Sequence, residues 1–427
     1  MIPLLLVAFL VFLLASVPIA IAMGAASLVA VLITGQNPPM VIVQRMYSGV
    51  DSFILLAVPL YILAGGLMET GGISARLVQL ARVLVGHVRG GLGMVVMVAE
   101  YLFSGLSGSV AADVSAIGSL LVPAMVKGGY SKEDSVSIVS AASAMGILVP
   151  PCIQMIVIAS ITGSSIAALF MAGFLPAMVI AVMLMALIYG LARINHWPAD
   201  IKATRGQIVQ AALGALIPLG MPIIIFGCIF LGITTPTEAG ALAVVYALIV
   251  GRFVYRELHW RDLPGIFARC AVTTATVSLL IATSSAFAWL MAMYYVPDML
   301  LNWFHGISDS PTVFMLLSAA VFILLGAVLE GIPALLILLP TLAPSVKAFG
   351  INQLHFDILA VACTGIGLFL PPIGIGILIA VSFAKVDLAR VMWAFAPYLV
   401  LLCIGVLLII WFPGLVLWLP QHTGLIK

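Results

Sequence analysis

Ser104, Ser107 and Ser109 fall within one short turn, interleaved with Gly105 and Gly108 and flanked by two apolar stretches. A turn of this composition lets backbone come close and offers hydroxyl and carbonyl oxygens, the ligands of a hard alkali cation. Small residues also serve simply to turn a chain and pack helices. The ion gains from a second feature, the run Gly146-Ile147-Leu148-Val149-Pro150-Pro151. Two prolines there remove backbone donors and interrupt a helix, which frees carbonyls. The whole pattern recurs. One constant displacement along the chain carries Gly105, Pro123, Gly129, Gly146, Pro150 and Pro151 onto Gly326, Pro344, Gly350, Gly367, Pro371 and Pro372 without a gap.

Acids are scarce within the apolar segments, and those that stand out are Glu100, Asp113, Glu238 and Glu330, with Asp51 and Glu69 near segment edges. An ionisable group at depth in a membrane is expensive and therefore a functional candidate. Asp113 begins the second leg of the first hairpin, and Glu330 stands at the second tip beside Gly331. With Gly108 at the first tip, these mark a substrate or ion pathway. Glu238 follows Thr235-Pro236-Thr237 and is expected to cap a helix N-terminus instead. No basic residue lies deep in any apolar segment. An anionic substrate would thus be held by helix N-termini, hydroxyls and bound sodium ions, or by a group near a membrane edge.

The elements that position these residues are helices in a bilayer. The chain has 427 residues, 64% hydrophobic and only 7% charged, with a mean hydropathy of +1.30. A soluble fold of that composition would have no polar surface left to face water. The net charge of +2 gives no reason to expect a nucleic-acid partner. The five cysteines show no metal or redox spacing and read as buried thiols. Segments long enough to cross, about 20 residues, lie near 4–34, 51–70, 132–160, 166–193, 209–233, 235–255, 272–296, 355–383 and 390–418. The first lacks the basic flank of a signal peptide and reads as a retained spanning helix. Hairpins occupy 91–127 and 311–348. The stretch 73–90, with Arg76, Arg82, His87 and Arg89, is a basic amphipathic arm in the headgroup plane, and residues 256–270 with Trp260 repeat it.

With the N-terminus inside, all of the 17 lysines and arginines except Arg45, Lys347 and Lys427 fall on the cytoplasmic side, as the positive-inside rule requires. The fold class expected is therefore an all-α polytopic membrane protein with a periplasmic C-terminus. It comprises a first repeat over 1–208, a linking helix over 209–233, and a second, inverted repeat over 234–427. Each repeat carries a re-entrant helical hairpin and a broken transmembrane helix (132–160, 355–383). Inverted repeats whose breaks meet at the midplane describe an alternating-access carrier.

Three stretches, SGLSGSVAADVSAIGSLLVPAM, TPTEAGALAVVYAL and LEGIPALLILLPTLAP followed by GLFLPPIGIG, resemble the large membrane subunit of tripartite ATP-independent periplasmic (TRAP) transporters. The likeness extends over essentially the whole chain. It implies a sodium-driven, elevator-type importer of small organic acids in a bacterial or archaeal inner membrane. It also implies two partners, a small four-helix membrane subunit and a soluble periplasmic substrate-binding protein. The resemblance places sodium at Ser104, Ser107, Ser109, Gly146, Val149 and Pro150, and at Gly326, Thr364, Gly367 and Leu370. Four positions depart from the family pattern: Glu330 replaces Asp, Leu370 replaces Thr, Cys363 replaces Asn and Cys152 replaces Ser. The change at Leu370 takes a side-chain ligand from the second sodium site and leaves the backbone carbonyl.

Two rival readings exist. Gly105-Leu106-Ser107-Gly108 spells the G-x-S-G of an intramembrane serine protease, but such a serine needs a histidine base within reach. All six histidines fall in loops or at span ends, and the second repeat has Val328 in place of the serine. A channel also accommodates two opposed hairpins. Saturable flux that requires a sodium gradient separates carrier from channel.

Overall fold

The computed structural model describes residues 2–103, 110–199 and 202–426. Its secondary structure is helical, and the described residues contain no strand. In hydrocarbon every backbone group has to be satisfied inside the protein, and long continuous apolar segments do so as helices. Eight helical segments among the described residues are long and apolar enough to cross a membrane.

The single span expected over 4–34 is instead two helices, α1 (Ile2–Leu14) and α2 (Ile19–Thr34). Pro18 has no N–H with which to continue the helix, and Ser16 enters the left-handed region at φ 61°. Leu5 and Phe9 then pack in one buried cluster with Ala22, Met23 and Ala26. Next come α3 (Met40–Val50), a 3-10 turn (Phe53–Leu56) and α4 (Ala57–Thr70). The basic stretch that follows forms α5 (Ile73–Val85), with Ile73, Leu77 and Ala81 fully buried on its apolar face. The first hairpin is α6 (Gly91–Phe103) and α7 (Val110–Lys127). The first broken helix is α8 (Lys132–Gly146) and α9 (Ile153–Thr162), followed by α10 (Ile166–Ile194).

The second half opens with α11 (Arg205–Phe230) and α12 (Pro236–Ile249), the latter ending in a π-helical turn (Val250–Val254). Glu238 does cap α12: the Thr235 N–H donates to its Oε2 at 2.7 Å, and the Thr235 hydroxyl accepts from the Glu238 N–H. The second basic stretch is not a separate arm. Trp260 lies exposed in a loop, and from Leu263 onward the residues belong to α13 (Leu263–Met293), with Pro264 in its first turn. The amphipathic α14 (Val296–Ile307) was hidden in the sequence by its mixed polarity. The second hairpin is α15 (Pro311–Leu329) and α16 (Gly331–Ala348), and the second broken helix is α17 (Gln353–Leu368) and α18 (Ile375–Ala384). The last expected span, 390–418, divides at Pro413 into α19 (Leu388–Trp411) and α20 (Gly414–His422).

The displacement seen in the sequence holds in the helices. It carries both ends of α7 onto those of α16, and the start of α8 onto that of α17. The corresponding caps match. The Ser131 hydroxyl accepts from the Asp134 N–H at 2.9 Å, and the Asn352 side chain accepts from the Leu354 N–H at 2.9 Å. Both breaks contain a cis bond, Pro150–Pro151 and Pro371–Pro372. Helices α8 and α17 are buried almost throughout, and Ser143 of α8 donates to the buried Glu100 of α6. Glycine lets α15 meet α17 backbone to backbone. A Cβ on Gly326 would lie 3.0 Å from Thr364 Cα and 3.1 Å from its carbonyl oxygen, and one on Gly367 would overlap the Ile323 carbonyl.

That contact sets an expectation. Gly326→Ala and Gly367→Ala should each destabilise the protein by about 1–3 kcal/mol through overpacking. Gly190→Ala on α10, where a Cβ meets open space, should stay within about 1 kcal/mol of wild type. Thermal unfolding followed by tryptophan fluorescence in one detergent checks this. Equal melting of all three variants would mean the α15–α17 contact is loose.

Candidate functional site

A cavity of about 290 Å³ lies where the two hairpins and the two breaks approach each other. Asp113 of α7 reaches it from the first hairpin, and Glu330, Gly331, Ile332 and Pro333 from the second. The first break contributes Ile147, Cys152, Ile153 and Gln154, and the second Leu368, Ile375 and Gly376. Thr273 and Thr276 of α13 close one side. None of the described lining residues is basic.

Local geometry brings positive potential to this cavity without a basic side chain. Helices α9, α16 and α18 all begin at its wall, at Ile153, Gly331 and Ile375, and none has a side-chain cap. The first-turn N–H groups of such helices have no intrahelical partner, and the helix dipoles add positive potential there. The two breaks end alike. The Val149 N–H donates to the Gly146 carbonyl at 2.8 Å, and the Leu370 N–H to the Gly367 carbonyl at 2.9 Å. Each carbonyl keeps a second lone pair for a ligand. The breaks differ in exposure. Residues 147–151 are buried, whereas Ile373 is 55% exposed, so the second break opens outward.

The residues singled out in the sequence separate into groups. Asp113, Glu330 and Gly331 share the cavity. Val149 and Pro150 face a different, apolar pocket of about 340 Å³ with Tyr101, Phe174 and Phe226. Gly326, Thr364 and Gly367 form the tight α15–α17 contact, where the Thr364 hydroxyl donates to the Ala360 carbonyl at 2.9 Å and retains its acceptor capacity. Leu370 lies at the half-buried end of its break, and its carbonyl accepts from the Gly374 N–H at 2.9 Å. Ser104, Gly105, Ser107, Gly108 and Ser109 lie outside the described residues. Gln154, Thr273 and Thr276 went unnoticed in the sequence. Gln154 is the one amide in an otherwise apolar run after Pro150-Pro151, and Thr273, Thr274 and Thr276 cluster in one span; either signal was available. Gln154 reaches across to the second hairpin, where a Cβ on Gly331 would collide with its amide nitrogen.

Glu330 carries backbone strain. Its φ of 67° and ψ of 172° lie in a region that is essentially glycine-only and costs a side-chain-bearing residue about 1–3 kcal/mol. Such strain persists only where the surrounding structure over-determines the conformation.

A family described as "Tripartite ATP-independent periplasmic transporter, DctM component" matches residues 6–415. The chain is 33% identical over 381 residues to the C4-dicarboxylate TRAP transporter large permease protein DctM of Pseudomonas aeruginosa, covering 89% of each. It is 35% identical over 378 residues to the sialic acid TRAP transporter large permease protein SiaM of Vibrio cholerae, covering 88% of each. Against the sialic acid TRAP transporter permease protein SiaT of Haemophilus influenzae it is 33% identical and spans 68% of that longer protein. Among solved structures, the YdaH transporter of Alcanivorax borkumensis shares the fold, with a TM-score of 0.59 at 16% identity over 87% of each chain.

The strain at the second tip is measurable. Glu330→Gly should raise stability by about 1–3 kcal/mol, while Glu330→Gln, which keeps a side chain in the same conformation, should leave it near wild type. Thermal melts of the two variants compare them directly. A Glu330→Gly protein no more stable than Glu330→Gln would mean the tip relaxes without penalty.

Proposed function

Because the chain belongs to the DctM component family of tripartite ATP-independent periplasmic transporters, we propose that its cavity carries a small organic acid anion across the membrane together with sodium ions. The chain is a transporter subunit and not an enzyme. The observation that carries the reading is the meeting of three uncapped helix N-termini in a cavity whose described lining has no basic residue.

Magnitudes explain why cations should travel with the anion. Each helix N-terminus favours a negative group by about 0.3–1 kcal/mol, up to ~2 where partly buried. Ionised Asp113 and Glu330 oppose it. One carboxylate at about 5 Å repels an anion by roughly 3 kcal/mol at an effective dielectric of 20. Dipoles alone barely offset two such acids, and bound sodium ions restore the balance. We assign sodium to Ser104, Ser107, Ser109, Gly146, Val149 and Pro150 in the first repeat, and to Gly326, Thr364, Gly367 and Leu370 in the second. Asp113, Glu330, Gly108 and Gly331 line the pathway.

Relatives bear names that include C4-dicarboxylate, sialic acid, isethionate and 2,3-diketo-L-gulonate. All are small organic anions, and this chain's substrate belongs to that class. The repeats at 1–208 and 234–427, joined by residues 209–233, are inverted across the inner membrane, with the N-terminus cytoplasmic and the C-terminus periplasmic. The hairpins and broken helices move together as an elevator. A small four-helix subunit and a periplasmic substrate-binding protein complete the transporter.

Partner dependence is one test. This chain alone in liposomes with a sodium gradient should give little uptake of succinate, N-acetylneuraminate or isethionate. Uptake should appear when the small subunit and the loaded binding protein are added; robust transport by the lone chain would leave an ordinary symporter. A second test concerns the first tip. Replacing Ser107 and Ser109 by Ala should raise the sodium concentration for half-maximal uptake about five- to a hundredfold, since an oxygen ligand is worth about 1–3 kcal/mol. Uptake measured against sodium at matched expression reads this out. Unchanged sodium dependence would reduce that tip to a tight turn.

A further inference from the structure

Away from the cavity, the C-terminal end of α9 meets the first turns of α17 around a carboxylate that the transport reading does not use. Asp357 is fully buried. Its Oδ2 accepts from the Ser164 hydroxyl at 2.7 Å and lies 3.2 Å from the Thr162 hydroxyl, while its Oδ1 accepts from the Gln353 amide at 2.8 Å. Every one of these partners is neutral. His355, two residues earlier on α17, turns the other way and donates to the Ile409 carbonyl of α19 at 2.7 Å. Thr162 is the last residue of α9, Ser164 precedes the N-cap of α10, and Asp357 sits in the first turns of α17, so three helix ends meet here.

Counting protons makes the imbalance plain. The Thr162 Oγ1, Ser164 Oγ and Asp357 Oδ2 atoms form a triangle with edges of 2.7, 2.9 and 3.2 Å, and Thr162 Oγ1 also lies 3.0 Å from the Ile158 carbonyl oxygen. These four oxygen–oxygen contacts share two hydroxyl protons, one per hydroxyl. At least two contacts therefore bring lone pairs together, beside a buried charge that would need a partner. A triangular face of a carboxylate and two hydroxyl oxygens is what a hard monovalent cation coordinates. Access is available: Gly163, between the two hydroxyl residues, is exposed, and Thr162 and Ser164 are half-buried.

We infer that Asp357, Thr162 and Ser164 form a sodium site separate from the two sites proposed for coupling. The bound ion ties α9 of the first broken helix to α17 of the second, so that the two halves of the carrying unit are joined by an ion as well as by packing. The repeat-related positions, Val136 for Asp357 and Lys385 for Ser164, cannot reproduce the arrangement. The site is thus single.

The experiment uses the full chain in lipid nanodiscs, with sodium-22 binding and thermal unfolding in sodium against choline chloride at equal ionic strength. Wild type should bind one more ion than Asp357→Asn, and sodium should raise its melting temperature by more. In choline, Asp357→Asn should melt at or above wild type, because it removes an uncompensated buried charge. Ser164→Ala should keep the ion with about tenfold weaker affinity, equivalent to ~1.4 kcal/mol. Thr364→Val and the Ser107→Ala, Ser109→Ala pair separate this inference from the coupling sites. They should retain the Asp357-dependent ion even if uptake loses its sodium dependence. Two outcomes overturn the inference. In one, Asp357→Asn melts below wild type by the same margin in sodium and in choline, which would make Asp357 a packing group. In the other, wild type is stabilised by lowering the pH in choline and shows no Asp357-dependent sodium binding, which would make the carboxylate a proton carrier.

Discussion

Backbone that leaves its helix inside an apolar protein must find partners or line a wet cavity, and this molecule is built around two places where that happens. At each break the chain recovers what it can. Val149 and Leu370 donate back to Gly146 and Gly367 in single tight turns. What cannot be recovered is the set of N–H groups at the start of α9 and α18, which have no cap. The hairpins exist to enclose those groups, and α16 adds its own uncapped start at Gly331. The cavity is the consequence of three helices beginning in the same place.

Charge is then distributed without cationic side chains. Asp113 and Glu330 stand in the cavity against the starts of three helices, so that carboxylates and helix dipoles oppose each other there. Arginine or lysine at this depth would bind an anion more tightly but would also hold it. Helix dipoles attract an anion more weakly and hold it less firmly. The same economy recurs at Asp357, where a carboxylate is met by two hydroxyls and an amide, all of them uncharged. Basic residues are kept to the periphery. Arg76 stacks 3.6 Å from the Tyr255 ring and pairs with Glu257 at 2.8 Å, pinning α5 to the loop before α13.

Much of this was legible in the chain itself. Composition points to a helical membrane protein: only helices and closed barrels satisfy a backbone in lipid, and continuous apolar runs of about 20 residues suit helices rather than the alternating strands of a barrel. The constant repeat interval locates both hairpins and both breaks, and the Thr235–Glu238 cap can be read from four residues. Local rules suffice there, since proline, glycine and capping groups act on their immediate neighbours. Some local signals were weaker. Ser16 and Pro18 divide the first apolar run, and Pro413 the last, where hydropathy alone suggests continuous spans.

Tertiary structure alone decided which residues meet. Gln154 belongs to the first repeat and touches the tip of the second, and Thr273 and Thr276 come to the cavity from α13. Val149 and Pro150, adjacent in sequence to cavity residues, face a different pocket. Thr162 and Ser164 find Asp357 from the opposite half of the chain. Periodicity reports which face of a helix is buried but not against what, because burial in protein and burial in lipid leave the same apolar signature. The sequence by itself therefore determined the elements, their breaks and their repetition. The encounters between repeats, and with them the cavity and the Asp357 cluster, were fixed only when close helix packing brought distant turns into contact.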